Sequence, residues 1–314
     1  MTEYVFLFPG QGSQNPGMGR ALAERFPAAR EWLETAEEIT HLPLRKWMWE
    51  EGEQALNLTS RTQPALLAVE LAYLRVLSEL GIRPAATAGH SLGEFGALVA
   101  AGVLGSETAL RLVVVRARVM EEAFPPGQGG MVAVIGLPEN QVESLCREVS
   151  AEVQPLVVEP VNYNSPGQLV VAGHAAALAL LAERARAAGA RLVRPLAVSG
   201  PFHSRLMKPA AERFAEELNA VEFRDPACVL VSSVTGEVVP SGRKARELLA
   251  RQLASPVRWV ETVRTLNKLG GGKYLEVGPG KVLAGLVRRV APGTEVLTVE
   301  ELEAAGFGQL VAGD

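Results

Sequence analysis

Short apolar runs, each followed by a longer stretch at helical spacing, recur at both ends of this 314-residue chain. Tyr4–Phe8 reads as a strand, 10–19 as a glycine-rich loop and 20–39 as a helix. Residues 63–80 read as a second helix, because Leu66, Leu67, Glu70, Leu71, Leu74 and Leu77 give a mostly apolar stripe at helical spacing. A weak strand, 85–88, runs into Gly89-His90-Ser91-Leu92-Gly93, with a helix over 92–101 behind it. From Val198 the rhythm resumes: helix 209–218, strand 229–234, helices 244–254 and 260–269, strand 273–277, helix 282–290 and strand 295–299. Strands that return parallel to one another need helical crossovers, so this alternation predicts an α/β fold with a largely parallel sheet.

The middle of the chain breaks that rhythm. After Phe124-Pro125-Pro126-Gly127 come strand 131–135, helix 138–150, strands 156–162 and 168–171, helix 174–188 and strand 191–196. The order βαββαβ within about 70 residues is the split pattern of a ferredoxin-like unit. The expected organisation is a large discontinuous α/β domain, 1–127 and 198–314, with a small ferredoxin-like domain inserted at 128–197.

With 48% hydrophobic and 21% charged residues the chain lies far from the disordered profile. No run approaches the roughly 18 apolar residues of a membrane span, and Tyr4–Phe8 reads as a strand and not as a leader, so a soluble cytoplasmic protein is expected. A formal charge of −4 argues against nucleic acid as a partner. Cys146 and Cys228 lack metal or redox spacing, and both are expected in the core.

Gly89-His90-Ser91-Leu92-Gly93 is a G-x-S-x-G between a strand and a helix. A nucleophile on a strained strand-to-helix turn needs small neighbours, and the helix start offers free N–H groups to an oxyanion. Chance also produces this pentapeptide; its setting favours Ser91 as a nucleophile. The chain has four histidines to supply a base. His90 adjoins the serine and should point away, His174 reads as a helix-start residue, and His41 has no partner nearby in sequence. His203, in Ser199-Gly200-Pro201-Phe202-His203-Ser204 where the chain re-enters the large domain, is either the base or a solvated loop histidine. No acid stands out as a third member, so the acceptor that orients the base is expected to be a carbonyl or an amide.

Phe8-Pro9-Gly10-Gln11-Gly12-Ser13-Gln14 also follows a strand and is either a second source of oxyanion donors or an ordinary turn. It lacks the third glycine of a dinucleotide loop and the Gly-Lys-Ser/Thr of a phosphate loop. The segment 109–120 is apolar around most of a helix yet carries Arg111, Arg116 and Arg118, which either clamp a carboxylate or snorkel to structural partners.

Taken together, Gly10-Gln11-Gly12-Ser13-Gln14, Gly89-His90-Ser91-Leu92-Gly93-Glu94, Val115-Arg116, Asn162-Tyr163-Asn164-Ser165-Pro166-Gly167-Gln168, Gly200-Pro201-Phe202-His203-Ser204, Pro256-Val257-Arg258-Trp259 and Glu276-Val277-Gly278-Pro279-Gly280 closely resemble the malonyl-CoA:acyl-carrier-protein transacylase family of bacterial fatty acid synthesis. The resemblance implies an α/β-hydrolase-like large domain with a ferredoxin-like insert. It implies Ser91 as nucleophile, His203 as base and Gln252 as the residue whose carbonyl orients the histidine. It further implies an oxyanion hole from the backbone N–H groups of Gln11 and Leu92. Arg116, in preference to Arg111 or Arg118, would hold the malonyl carboxylate, with Asn162 and Phe202 also at the substrate and Phe202 crowding a branched acyl group.

The implied reaction moves malonyl from malonyl-CoA to the phosphopantetheine thiol of acyl carrier protein, without a cofactor or metal, in a monomer. The alternatives are a discrete acyltransferase of a polyketide pathway, a serine thioesterase or acyl-editing hydrolase, and an idle carrier-protein scaffold. One departure is visible: the family elbow continues with tyrosine where this chain has Phe95, which keeps the ring and loses the hydroxyl.

Overall fold

The computed structural model describes residues 4–305 and 307. The chain opens with β1 (Tyr4–Phe8), whose side chains are all buried, as a strand covered on both faces requires. Next come α1 (Arg20–Arg25), α2 (Pro27–Thr40), α3 (Leu44–Trp49) and the long α4 (Thr59–Glu79). After β2 (Pro84–Gly89) a 3₁₀ turn at Ser91–Gly93 leads into α5 (Glu94–Ala100), followed by α6 (Ser106–Glu122). The middle segment holds β3 (Gly129–Ile135), α7 (Glu139–Glu152), β4 (Val158–Ser165), β5 (Gln168–His174), α8 (Ala175–Ala187) and β6 (Leu192–Pro195). The chain continues through α9 (Lys208–Leu218), β7 (Val229–Val231), α10 (Gly242–Gln252), α11 (Trp259–Lys268), β8 (Lys273–Glu276), α12 (Val282–Val290), β9 (Val296–Thr298) and α13 (Val299–Ala304).

Among the described residues these strands form two sheets. The first is five-stranded and parallel in the order β7-β2-β1-β8-β9. The chain moves from β1 to one side for β2 and returns to the other side for β8, so the strand order reverses at β1. Ligands of open α/β sheets sit beyond the carboxyl ends of strands at such a point. Phe8 pairs with Gly89 and Leu7 with Glu276, which brings the loops after β1, β2 and β8 together. The second sheet is antiparallel, in the order β4-β5-β3-β6.

Backbone hydrogen bonds stitch the second sheet to the segment before α11. Val257 donates its N–H to the Val161 carbonyl at 2.8 Å and accepts from Tyr163 N–H at 2.9 Å. The cleft between the sheets therefore has one wall tied down by main-chain bonds, which side-chain changes do not easily loosen.

The structure corrects several element boundaries. The expected helix at 20–39 breaks at Phe26, since the residue before Pro27 is driven into extended backbone, here φ −117° and ψ 115°. Helix α4 starts at Thr59 and carries Pro64 inside it. Strand β7 stops at Val231 because Ser232 N–H turns to the Glu237 carbonyl. Strand β4 begins at Val158, after a turn in which Leu156 N–H meets the Val153 carbonyl. Short α3 and α13 carry too few residues for a period to be read. Cys146 is buried as expected, whereas Cys228 is only partly buried.

The carboxyl ends of β1 and β2 touch backbone to backbone. A Cβ on Gly93 would lie 2.0 Å from the Phe8 carbonyl oxygen, and one on Gly89 the same 2.0 Å from Gly93. Gly285, inside α12, has no heavy atom within 4 Å of its would-be Cβ. Gly93→Ala is therefore expected to cost at least about 3 kcal/mol or to prevent folding. Gly285→Ala should stabilise by about 0.5–1 kcal/mol. Urea unfolding of the two variants checks this contrast; equal effects would mean that the close approach does not hold the turn.

Candidate active site

Strand β2 delivers Ser91 to the cleft through a sharp change of backbone direction. His90 is still extended, Ser91 stands at φ 53°, and Gly93 is helical at φ −58°. A serine in the left-handed region is strained and persists only where its surroundings over-determine it. Here the contacts of Gly89 and Gly93 do so, together with the His90 N–H bond to the Phe8 carbonyl at 2.9 Å.

His203 arrives from the opposite side of the cleft, 112 residues away in sequence, and places Nε2 2.7 Å from Ser91 Oγ. It too has positive φ, at 64°, and its N–H is bonded to the Leu253 carbonyl at 3.0 Å. Its Nδ1 faces two carbonyl oxygens, Gln252 at 3.1 Å and Ser255 at 3.2 Å. Carbonyls only accept, so Nδ1 carries the proton and Nε2 presents its lone pair to the serine hydroxyl. Burial, with the positive charge of Arg116 second, pushes His203 down to about 3, and the two carbonyl contacts oppose that shift. The resting imidazole is neutral.

Arg116, on α6, is fully buried, while Arg111 and Arg118 on the same helix are exposed. Its Nη1 donates to Gln63 Oε1 at 2.6 Å, and its Nη2 to Gln252 Oε1 at 2.9 Å and Ser91 Oγ at 3.2 Å. Its Nε is buried and has no hydrogen-bond partner among the described residues. Burial lowers its guanidinium to about 9, which leaves it charged at neutral pH. The Phe95 ring lies 5.9 Å below the guanidinium carbon, so the ring kept at this position faces the cation.

A cavity of about 70 Å³ opens at Ser91 Oγ and is lined by Gln11, Asn162, Phe202 and His203, with Met120 and Met131 at its apolar side. That space suits a short acyl group, since one water occupies roughly 30 Å³ in the liquid. The side-chain Oδ1 of Asn162 is buried without a partner. Among the described residues, the backbone N–H groups of Gln11 and Leu92 have no hydrogen-bond partner. His90 is turned from the serine, with Nε2 2.8 Å from Asn164 Oδ1 and its ring against Trp259. His174 ends β5 as the N-cap of α8 and accepts Val157 N–H at Nδ1, and His41 caps the C-terminus of α2; neither lines the cavity. A wider depression of about 710 Å³ between α7 and β4 contains Cys146, whose thiol burial pushes up to about 12 and so keeps protonated.

The structure adds Gln63 and Ser255 to the residues read from sequence. Gln63 is a buried amide on a mostly apolar face of α4 that also buries Glu70 two turns on, which is a visible though weak signal. Ser255 contributes only a carbonyl, for which no side-chain signal exists.

The acyl transferase domain family model matches residues 5–305. The malonyl CoA-acyl carrier protein transacylase of Bacillus subtilis strain 168 is 42% identical over 303 residues, covering 96% of this chain and 95% of its own. The crystal structure of an acyl carrier protein S-malonyltransferase from Vibrio cholerae superposes with a TM-score of 0.91 at 40% identity, covering 97% of this chain and 100% of that one. A malonyl-transacylase solved in complex with the holo acyl carrier protein of a type II polyketide synthase superposes at 0.90 with 43% identity, covering 95% of each chain. The chain belongs to the acyl transferase domain family, and within it to the malonyl CoA-acyl carrier protein transacylases.

Proposed function

We propose that this chain transfers malonyl from malonyl-CoA to the phosphopantetheine thiol of acyl carrier protein through an ester on Ser91, supplying extender units for fatty acid synthesis. One observation carries the reading: Ser91 Oγ lies 2.7 Å from a neutral buried histidine and 3.2 Å from a fully buried arginine. A hydrolase needs the first contact. The second equips the site for an acyl group that carries its own carboxylate.

In the first half-reaction His203 Nε2 takes the Ser91 proton as Oγ attacks the thioester carbonyl. The free N–H groups of Gln11 and Leu92 receive the oxyanion, and each such donor is worth roughly 10²–10³ in rate. The tetrahedral species collapses, CoA leaves as the thiol with the proton from His203, and malonyl remains on Ser91. In the second half-reaction His203 deprotonates the carrier thiol, which attacks the ester, and the proton returns to Ser91. Arg116 holds the malonyl carboxylate, for which Nε and the bond now given to Ser91 are available. Asn162 Oδ1 offers an acceptor to the bound acyl group or pantetheine amide, and Phe202 closes the cavity against branched substituents. The chemistry draws on these side chains and the substrate thioester, with no cofactor, and is complete in one chain.

The architecture fits the same reading. The nucleophile turn after β2 of a parallel sheet supports an α/β-hydrolase-like large domain, and the order β4-β5-β3-β6 supports a ferredoxin-like small one. The division falls at 1–127 with 198–314 against 128–197.

Incubation with malonyl-CoA should add one malonyl to the intact mass, lost in Ser91→Ala, and added carrier protein should take it up. An adduct lost to water with carrier present would make the chain a hydrolase, and no adduct would end the reading. Arg116→Ala should lower malonyl transfer by about 10²-fold and acetyl transfer by less than about tenfold, since charge-assisted bonds contribute about 1.5–3 kcal/mol each. Equal losses in steady-state kcat/KM would remove the clamp.

Because burial and Arg116 both hold His203 low, the base stays unprotonated well below the ordinary histidine value near 6.5. For the free enzyme, kcat/KM is therefore expected to fall only as pH drops toward about 3. With p-nitrophenyl acetate, which has no carboxylate, the acid limb of kcat/KM should lie below pH 5.5, and Arg116→Leu should move it upward. A limb that Arg116→Leu leaves in place would show that the arginine's charge does not act on the base.

A further inference from the structure

Glu94, the first residue of α5, lies three positions after the nucleophile and is buried, 4% exposed. An acid at a helix start is ordinarily a solvated partner of the helix dipole. This one instead points inward. Its Oε1 accepts from Ser232 Oγ at 2.6 Å, and its Oε2 accepts from Ser233 Oγ at 3.0 Å and from Gln252 Nε2. Three donors converge on one carboxylate, which is the pattern of an ionised acceptor. Burial raises its pKa, while the three bonds and the nearby positive charge of Arg116 oppose that rise.

Gln252 is also bonded to Ser91, Arg116 and His203. Its Nε2 also donates to the Ser91 carbonyl at 3.0 Å, its Oε1 accepts from Arg116 Nη2 at 2.9 Å, and its backbone carbonyl accepts from His203 Nδ1 at 3.1 Å. An amide has two ends of similar shape, so its orientation is set by what it faces. Turned over, Gln252 would aim its NH₂ at the guanidinium and its oxygen at both the Glu94 carboxylate and the Ser91 carbonyl. Arg116, which only donates, selects one end; Glu94, which only accepts when ionised, selects the other.

Building on the malonyl-transfer reading, we propose that Glu94, braced by Ser232 and Ser233, is a positioning residue that fixes the Gln252 amide and through it the aim of Arg116 and the geometry of Ser91. Glu94 touches neither substrate nor reacting atoms and acts only through Gln252. Its negative charge also offsets Arg116 across that amide, so that the free site carries a balanced pair before the malonyl anion enters.

The test is a double-mutant cycle with Glu94→Gln and Gln252→Met in the full chain. Each variant is read by the rate of Ser91 malonylation from malonyl-CoA and by the rate of Ser91 labelling with a fluorophosphonate, which needs no malonyl group. Glu94→Gln keeps the shape and lets the Gln252 amide turn, and it should slow malonylation by about 10- to 100-fold, more than it slows labelling. If the effect runs through Gln252, adding Glu94→Gln to Gln252→Met changes either rate less than about twofold. Effects that multiply, or a Glu94→Gln variant as fast as the unmodified chain, overturn the proposal. If Glu94→Gln does not fold by circular dichroism, Ser232→Ala with Ser233→Ala replaces it in the cycle under the same criteria. An unmodified chain that takes no malonyl, with labelling still non-additive, would sink the malonyl reading and leave the positioning role standing.

Discussion

The rest of the site depends on a contact between two stretches of main chain: the end of β1 and the turn after β2 touch at Phe8 and Gly93 with no room for a side chain between them. That contact forces the chain after Gly89 to turn within two residues, and Ser91 takes up the turn in left-handed backbone at φ 53°. The same approach brings the loop of Gln11 beside the start of the helix behind Leu92. Gly96 extends the contact by one helical turn, where a Cβ would meet the Phe8 ring at 2.4 Å. The Ser91 turn and the proposed donors at Gln11 and Leu92 thus derive from one packing constraint, enforced by Gly89 at the end of β2, Gly93 in the turn and Gly96 in α5.

Legibility in the sequence follows the range of the interaction. Ser91 was readable because its signal is local: a strand, two glycines and a helix start within a few residues. His203 could be reached from the residues only by elimination, because its partner lies 112 positions away and the loop itself also suits a solvated histidine. The middle sheet was readable from period and turns, although β4 begins later than its apolar run, where Leu156 is drawn into a turn. Glu94 was not readable, since an acid at a helix start has an ordinary local explanation, and Gln63 offered only the weak signal of an amide within the buried stripe of α4. Only the fold, by carrying α10 and α4 against α5 and α6, makes them neighbours of the reacting groups.

Arg116 burdens and serves the same reaction. Buried cations are retained where polar partners surround them, and Gln63, Gln252 and Ser91 do so here. In the free enzyme its charge helps to hold His203 near 3, which makes a neutral but weak base. Under the malonyl-transfer reading, a carboxylate paired with Arg116 would cancel much of that field and so raise the pKa of His203, in the direction that favours taking the serine proton. An acyl group without a carboxylate leaves the field in place. On that reading selection for malonyl would not rest on binding alone: the anion paired with Arg116 would also strengthen the base beside it. Burial makes this coupling effective, because in the low-dielectric cleft the charges on Arg116, His203 and the incoming acyl group are poorly screened from one another.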